Sequence, residues 1–305
     1  EAETLLKLPC VDHGTCGKNL TWVLTEDGVL TISGTGEMYR SGLNNAPWSA
    51  YKEQIVSVFV KTGATNIGMY AFCNLSALTD VTIPESVTGI DYGAFQNCTS
   101  LTTVSLPASI SNIGAYSFND CSALTDVVLS EGVTNIANSA FDGCTELTNI
   151  TIPNSVTRIG ADAFQGCISL TSVSLPANIT SIASDVFGGC KKLSNVFIPQ
   201  NVTSIGDWAF HDNNTPFVVY YGGSEADWDN ISISSSNLSL NSAAIHCNST
   251  HICTLRSVAE QAPTATQNGN HAYWLCSICQ QAYKDAGGIA QTTVEAETIP
   301  AGTIA

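Results

Sequence analysis

The chain has 305 residues and a formal net charge of −16, with 26 Asp plus Glu against 10 Lys plus Arg. A surface this acidic and this poor in cations repels phosphate backbones and anionic headgroups, which argues against nucleic-acid and membrane-surface partners. No apolar run reaches the roughly 18 residues of a bilayer-spanning helix, and the sequence starts at Glu1 without an apolar leader, as a processed chain would.

The first 54 residues read as an N-terminal cap. Cys10 and Cys16 lie close in sequence and suggest a disulfide in an exported chain. Leu20–Thr25 and Val29–Ser33 alternate apolar and polar residues around Glu26-Asp27-Gly28, the pattern of a β-hairpin. Such a hairpin would cover an open sheet edge.

From residue 55 to 215 one phrase recurs without a slip. Phe72, Phe95, Phe118, Phe141, Phe164, Phe187 and Phe210 stand 23 residues apart, as do Ile55, Leu78, Leu101, Leu124, Leu147, Leu170 and Leu193. A period in the 20s built on L-x-x-V-x-L is the mark of a leucine-rich solenoid. The prediction is a mainly β, right-handed coil of about seven 23-residue turns. In Leu101-Thr-Thr-Val-Ser-Leu106 the apolar residues point inward and the hydroxyls outward, a short strand that stacks into a parallel sheet. Pro84, Pro107, Pro153, Pro176 and Pro199 end that strand, because proline has no N–H to pair. Ile-Gly follows at Ile113-Gly114, Ile159-Gly160 and Ile205-Gly206, an inward apolar residue with a glycine suited to a tight bend. Ala-Phe then drives a ring into the core.

Cys98, Cys121, Cys144, Cys167 and Cys190 keep the same spacing. Parallel side chains about 4.8 Å apart do not converge as a disulfide requires, so these are read as small buried hydrophobes. Leu75 fills the slot in an earlier turn, which leaves Cys73 off register in a loop. An eighth strand is predicted at 216–221, and the period dies at Gly222-Gly223 within a capping segment over 216–246.

The repeat resembles the BspA-type leucine-rich repeat proteins, secreted or surface proteins of gut and oral anaerobes and some parasitic protists. The likeness rests on Leu147-Thr-Asn-Ile-Thr-Ile-Pro-Asn-Ser-Val-Thr-Arg-Ile-Gly-Ala-Asp-Ala-Phe-Gln-Gly-Cys167, the leader Cys16–Trp22, Ala46-Pro47-Trp48 and the closing Tyr220–Trp228. It implies a secreted or cell-surface location, adhesion to host matrix proteins, cells or glycans, and no enzymatic activity.

Residues 247–305 form a small β-rich Cys/His module. Cys276-x-x-Cys279, with Cys247-x-x-x-His251 upstream, matches the thiolate and imidazole donors of a structural zinc site. Cys253 could replace Cys247. Disulfides among these cysteines, or free thiols, are the alternatives the residues leave open. Either staple would compensate for the small core of such a module.

No G-x-S-x-G motif occurs, which disfavours a serine hydrolase. Asp80 and Asp126 share one outward strand position with Thr103 between them, and read as solvated rather than catalytic. The outward strand face, with Thr79, Asp80, Thr102, Thr103, Thr125, Asp126, Thr148, Asn149, Thr171 and Ser172, is the candidate ligand surface. The same residues equally suit a bare exposed strand. Aromatic platforms are scarce on it beyond Phe59 and Phe197, which favours a protein ligand over a glycan. A host extracellular or cell-surface protein is the expected partner; a structural spacer and a carbohydrate-binding module are the alternatives.

Overall fold

The computed structural model describes residues 9–214, 217–252, 255–259, 269–270, 272–276, 282–283, 291–292 and 298–299. The predicted hairpin is present as β2 (Gly17–Thr25) and β3 (Val29–Met38), turning at Gly28 with φ +81°. An additional strand, β1 (Cys10–Thr15), pairs antiparallel with β2. Cys10 and Cys16 therefore stand at opposite ends of a six-residue strand, about 20 Å apart at the usual rise. The expected disulfide is excluded by this geometry. Both thiols are free, Cys10 exposed and Cys16 buried.

The coil then stacks in parallel, in register, onto β3. Its principal strands are β4 (Ser57–Val60), β5 (Asp80–Thr82), β7 (Thr103–Ser105), β9 (Asp126–Val128), β12 (Ser172–Ser174), β14 (Asn195–Ile198) and β16 (Val218–Tyr221). The predicted in–out alternation holds, with a buried Val flanked by outward residues in β5, β7 and β9. The sheet is not continuous. It divides into β1–β5, β7–β9 and a third group from β12 onward, and Thr148–Ile152 forms no strand.

The Ile-Gly segment makes a second parallel ladder rather than a simple bend. Its two-residue strands are β6 (Gly89–Ile90), β8 (Asn112–Ile113), β10 (Asn135–Ile136), β11 (Arg158–Ile159), β13 (Ser181–Ile182) and β15 (Ser204–Ile205). The glycines here do not adopt a positive φ. They are small because the previous turn lies too close: a Cβ on Gly114 would sit 2.6 Å from the Ile90 carbonyl oxygen. The positive-φ positions form two other columns with the 23-residue period. One holds Asn74, Asn97, Asp120, Gly143, Gly166, Gly189 and Asp212, the residue types that best tolerate this region. The other runs through Tyr70, Gly93, Tyr116, Ser139, Asp162, Asp185 and Trp208.

The Ala-Phe corner is the most regular part of the molecule. All seven phenylalanines are fully buried. Their rings stack at centroid spacings of 5.2 Å (Phe95–Phe118) to 5.6 Å (Phe187–Phe210), and the four pairs between Phe95 and Phe187 are within 5° of parallel. Trp48 extends the column at one end, stacked 5.4 Å from Phe72, and Phe217 closes it at the other. Each ladder cysteine donates its thiol to the phenylalanine carbonyl 26 residues earlier, from Cys98 on Phe72 at 3.1 Å to Cys190 on Phe164 at 3.2 Å. Burial raises the thiols of Cys98, Cys144, Cys167 and Cys190, the last to about 12. Cys73 is buried in the neighbouring turn, and burial pushes its thiol up to about 11.

Past Gly222-Gly223 the chain makes one further, irregular turn. A short helix, α1 (Glu225–Asp229), carries a Ser224/Asp227 capping box. Beyond it β17 (Ser232–Ile233) pairs with β15, and β18 (Ala244–His246) pairs with β16. Val218 to Ala244 is a step of 26 residues rather than 23, and this turn has no Ala-Phe. Asn237 replaces the ring, accepting from the Phe210 N–H at 3.2 Å and donating to the Gly206 carbonyl at 2.8 Å. Among the described residues, no helix is long and apolar enough to cross a membrane.

Candidate binding surfaces

Three outer surfaces are available on this frame. The first is the strand face. Thr79, Asp80, Thr102, Thr103, Thr125, Asp126, Thr148, Asn149 and Thr171 are exposed, and Ser172 is half-buried. Several of the hydroxyls are held by the coil itself: Thr79 donates to the Val56 carbonyl and Thr125 to the Thr102 carbonyl, both at 3.1 Å. They present methyls and carbonyl-tethered oxygens in a fixed array. Asp80 and Asp126 lie two turns apart, about 9.6 Å at the usual strand spacing, with Thr103 between them. Phe59 stands out at 41% exposure and Val128 at 53%, whereas Phe197 is half-buried beside Tyr220.

The second surface is a tyrosine cluster that the strand-face reading missed. Tyr70 and Tyr92 meet edge to face at 5.4 Å, and Tyr92 and Tyr116 lie 5.1 Å apart. Tyr92 is 38% exposed. Gly93 makes room for Tyr70, since a Cβ there would sit 2.5 Å from the Tyr70 ring. The tyrosines alternate between adjacent columns of the repeat, so no single spacing announces them.

The third is a groove of about 800 Å³ over the second ladder, between Asn138 and Ser234. Its floor is Ile159, Ile182, Ile205 and Ile233, its walls are serines, and Arg158 is its only charged lining residue.

Farther round the turns, Asp120, Asp142, Asp162 and Asp185 form an acidic row. Burial, then the charges of Asp120 and Asp162, push Asp142 up to about 6. Asp162 is also raised, by burial first and Asp185 second.

In the tail, Cys247 is half-buried, and burial followed by Glu225, Asp229 and Asp227 pushes its thiol up. His251 lies with Nδ1 2.9 Å from the Thr250 hydroxyl. Cys276 ends a strand paired with Leu255–Val258, but its side chain, like Cys253 and Cys279, lies outside the described residues. Among the described residues no group of three or more His, Cys, Asp or Glu could hold a metal.

Comparison with known proteins places the fold. The crystal structure of a leucine-rich repeat protein from Bacteroides ovatus aligns at 20% identity over 76% of this chain and 68% of its own, with a TM-score of 0.53. A leucine rich cell surface protein from Faecalibacterium prausnitzii aligns at 22% identity over 73% of this chain and 98% of its own, with a TM-score of 0.30. The pneumococcal vaccine antigen PcpA aligns at 16% over 74% and 97%, with a TM-score of 0.35. No curated protein matches the chain. The profile of the BspA type Leucine rich repeat region matches in six copies over residues 49–168, 116–225 and 157–278, well over half of the sequence. With its 23-residue turns, Phe–Cys corner and two parallel ladders, the chain belongs to the BspA-type leucine-rich repeat family.

Proposed function

We propose that this is a non-enzymatic, secreted or cell-surface adhesion protein that holds a host or cell-surface protein against its strand face. The observation that carries the reading is the division of labour across each turn. Phe, Cys and Leu side chains consume the inward positions, while Thr79, Asp80, Thr102, Thr103, Thr125, Asp126, Thr148, Asn149, Thr171 and Ser172 leave an extended polar surface that the core does not need. Repeat arrays use such faces for large partners, because contacts add along the coil. Family membership supports the same reading.

A carbohydrate ligand is the second reading, and the Tyr70–Tyr92–Tyr116 cluster favours it, since sugar rings pack on exposed aromatic faces. The test is binding of the full chain to immobilised matrix proteins and to a glycan array, beside a Thr103→Lys/Thr125→Lys/Thr148→Lys variant and a Tyr92→Ala variant. Saturable protein binding lost only in the lysine variant supports the strand-face reading. Glycan binding lost only in Tyr92→Ala moves the site to the tyrosines, and silence on both panels favours a spacer.

In the tail, we propose that Cys247, His251, Cys276 and Cys279 hold a structural zinc ion, with disulfides as the alternative. Zinc content of the purified chain, read against its free-thiol count after denaturation, separates the two.

A further inference from the structure

The outward column of the second ladder changes character halfway along the coil. Its register positions are Asn112, Asn135, Arg158, Ser181, Ser204 and Ser232. Long side chains fill the first half, where Asn135 donates its amide to the Asn112 side chain at 2.6 Å. From Ser181 onward the column is serine, and in the neighbouring column Asn138 gives way to Ala161 and Ser184. The groove of about 800 Å³ is the space that these shorter side chains leave, with Arg158 at the step. Arg158 and Ser232 lie three turns apart, about 14 Å at the usual strand spacing.

The polar groups of this groove are not used by the fold. Along the adjoining column Thr88, Thr134, Thr157 and Thr203 each donate their hydroxyl to a carbonyl of the turn before. The hydroxyls of Ser181, Ser184, Ser204 and Ser232 and the amide of Asn138 make no hydrogen bond among the described residues. Arg158 is exposed and, in a chain with 26 acidic residues, forms no ion pair among the described residues. Asp207, which follows Gly206 at the far end of the groove, is already held by the hydroxyls of Ser234 and Ser236. No aromatic ring lines the groove.

We propose that this groove binds a carboxylated sugar residue of a glycan. The guanidinium of Arg158 offers paired N–H donors that match the two oxygens of a carboxylate. Each serine hydroxyl both donates and accepts, as a sugar hydroxyl does, so a row of them suits a ring that presents several. The edges of Ile159, Ile182 and Ile205 beneath take the C–H face of that ring. With no aromatic ring to stack on, the ligand is anchored by its charge, which separates an acidic sugar from a neutral one. An acidic peptide would satisfy Arg158 but leave most of the hydroxyls without partners. This site stands apart from both the strand face and the tyrosine cluster, and it does not depend on either of them.

The probes are sialyllactose and an oligosaccharide ending in glucuronic acid, two distinct sources of a sugar carboxylate. Each is titrated into the full chain beside lactose and a triglutamate peptide. The expected result is saturable binding of one or both acidic sugars, and none of lactose or the peptide. Arg158→Gln should weaken that binding by about ten-fold or more. Ser181→Asn refills the groove with the side chain that Asn112 and Asn135 carry in the same column, and should weaken it while the melting curve stays in place. The strand-face lysine variant and Tyr92→Ala should bind the sugars as the parent chain does. Lack of saturable binding by both acidic sugars, equal binding of lactose or the peptide, or unchanged affinity in Arg158→Gln would overturn the proposal. So would a loss of binding in Tyr92→Ala with none in Arg158→Gln, which would place the sugar on the tyrosines.

Discussion

The Phe–Cys corner and the strand face belong to the same turns, yet one is continuous and the other is broken. At the corner, rings stack without interruption from Trp48 to Phe217. On the face, the sheet divides into three groups and Thr148–Ile152 forms no strand. The difference follows from what each position must satisfy. A buried ring has one shape that fits between its neighbours, whereas an outward Thr, Asp or Asn has water as a partner and leaves the register less constrained. Stability is therefore concentrated at the corner, and the face is free to vary.

The largest expected effect comes from removing one ring. Phe141→Ala should cost about 3–5 kcal/mol and loosen the turns on both sides, because Phe118 and Phe164 each lose a stacked neighbour. Chemical denaturation checks this, and a loss below about 1 kcal/mol, the range of ordinary surface changes, would break the comparison. A smaller effect is expected at Asp142. The folded chain holds this proton more tightly than the unfolded chain, so the contribution to stability is present below the ordinary value of 3.8 and is lost as pH rises through about 6. Asp142→Asn should raise the melting temperature at pH 7 and flatten its dependence between those values; an unchanged profile would remove Asp142 from the account. Smallest of all, Thr103→Lys, Thr125→Lys and Thr148→Lys should each change stability by at most about 0.5 kcal/mol, as exposed substitutions do. A collective loss of several kcal/mol would mean that the face, too, carries the fold.

The sequence made the corner and the hairpin legible because their side chains recur strictly or alternate around Asp27-Gly28. It made β1 hard to see: Cys10–Thr15 is an edge strand with no buried residue, so hydrophobic alternation never marks it. The turn after Gly222 carries no repeat signal because Asn237 and a short helix replace the Ala-Phe phrase. The glycines of the Ile-Gly segment were visible but their reason was not, since a neighbouring turn's carbonyl is absent from a one-dimensional reading. Of the candidate surfaces, the outward positions of the strand face were readable from alternation alone. The tyrosine cluster was not, because its members switch columns.

Residue-resolved native-state hydrogen exchange tests the central claim most directly. The account predicts that the amides of Phe118, Phe141 and Phe164, bonded to the next turn at 2.8, 2.8 and 2.9 Å, exchange slowest and open together. The amides of Thr102, Thr148, Thr180 and Ala183, which lack the inter-turn bond, should exchange fastest. Uniform protection across corner and face would contradict it.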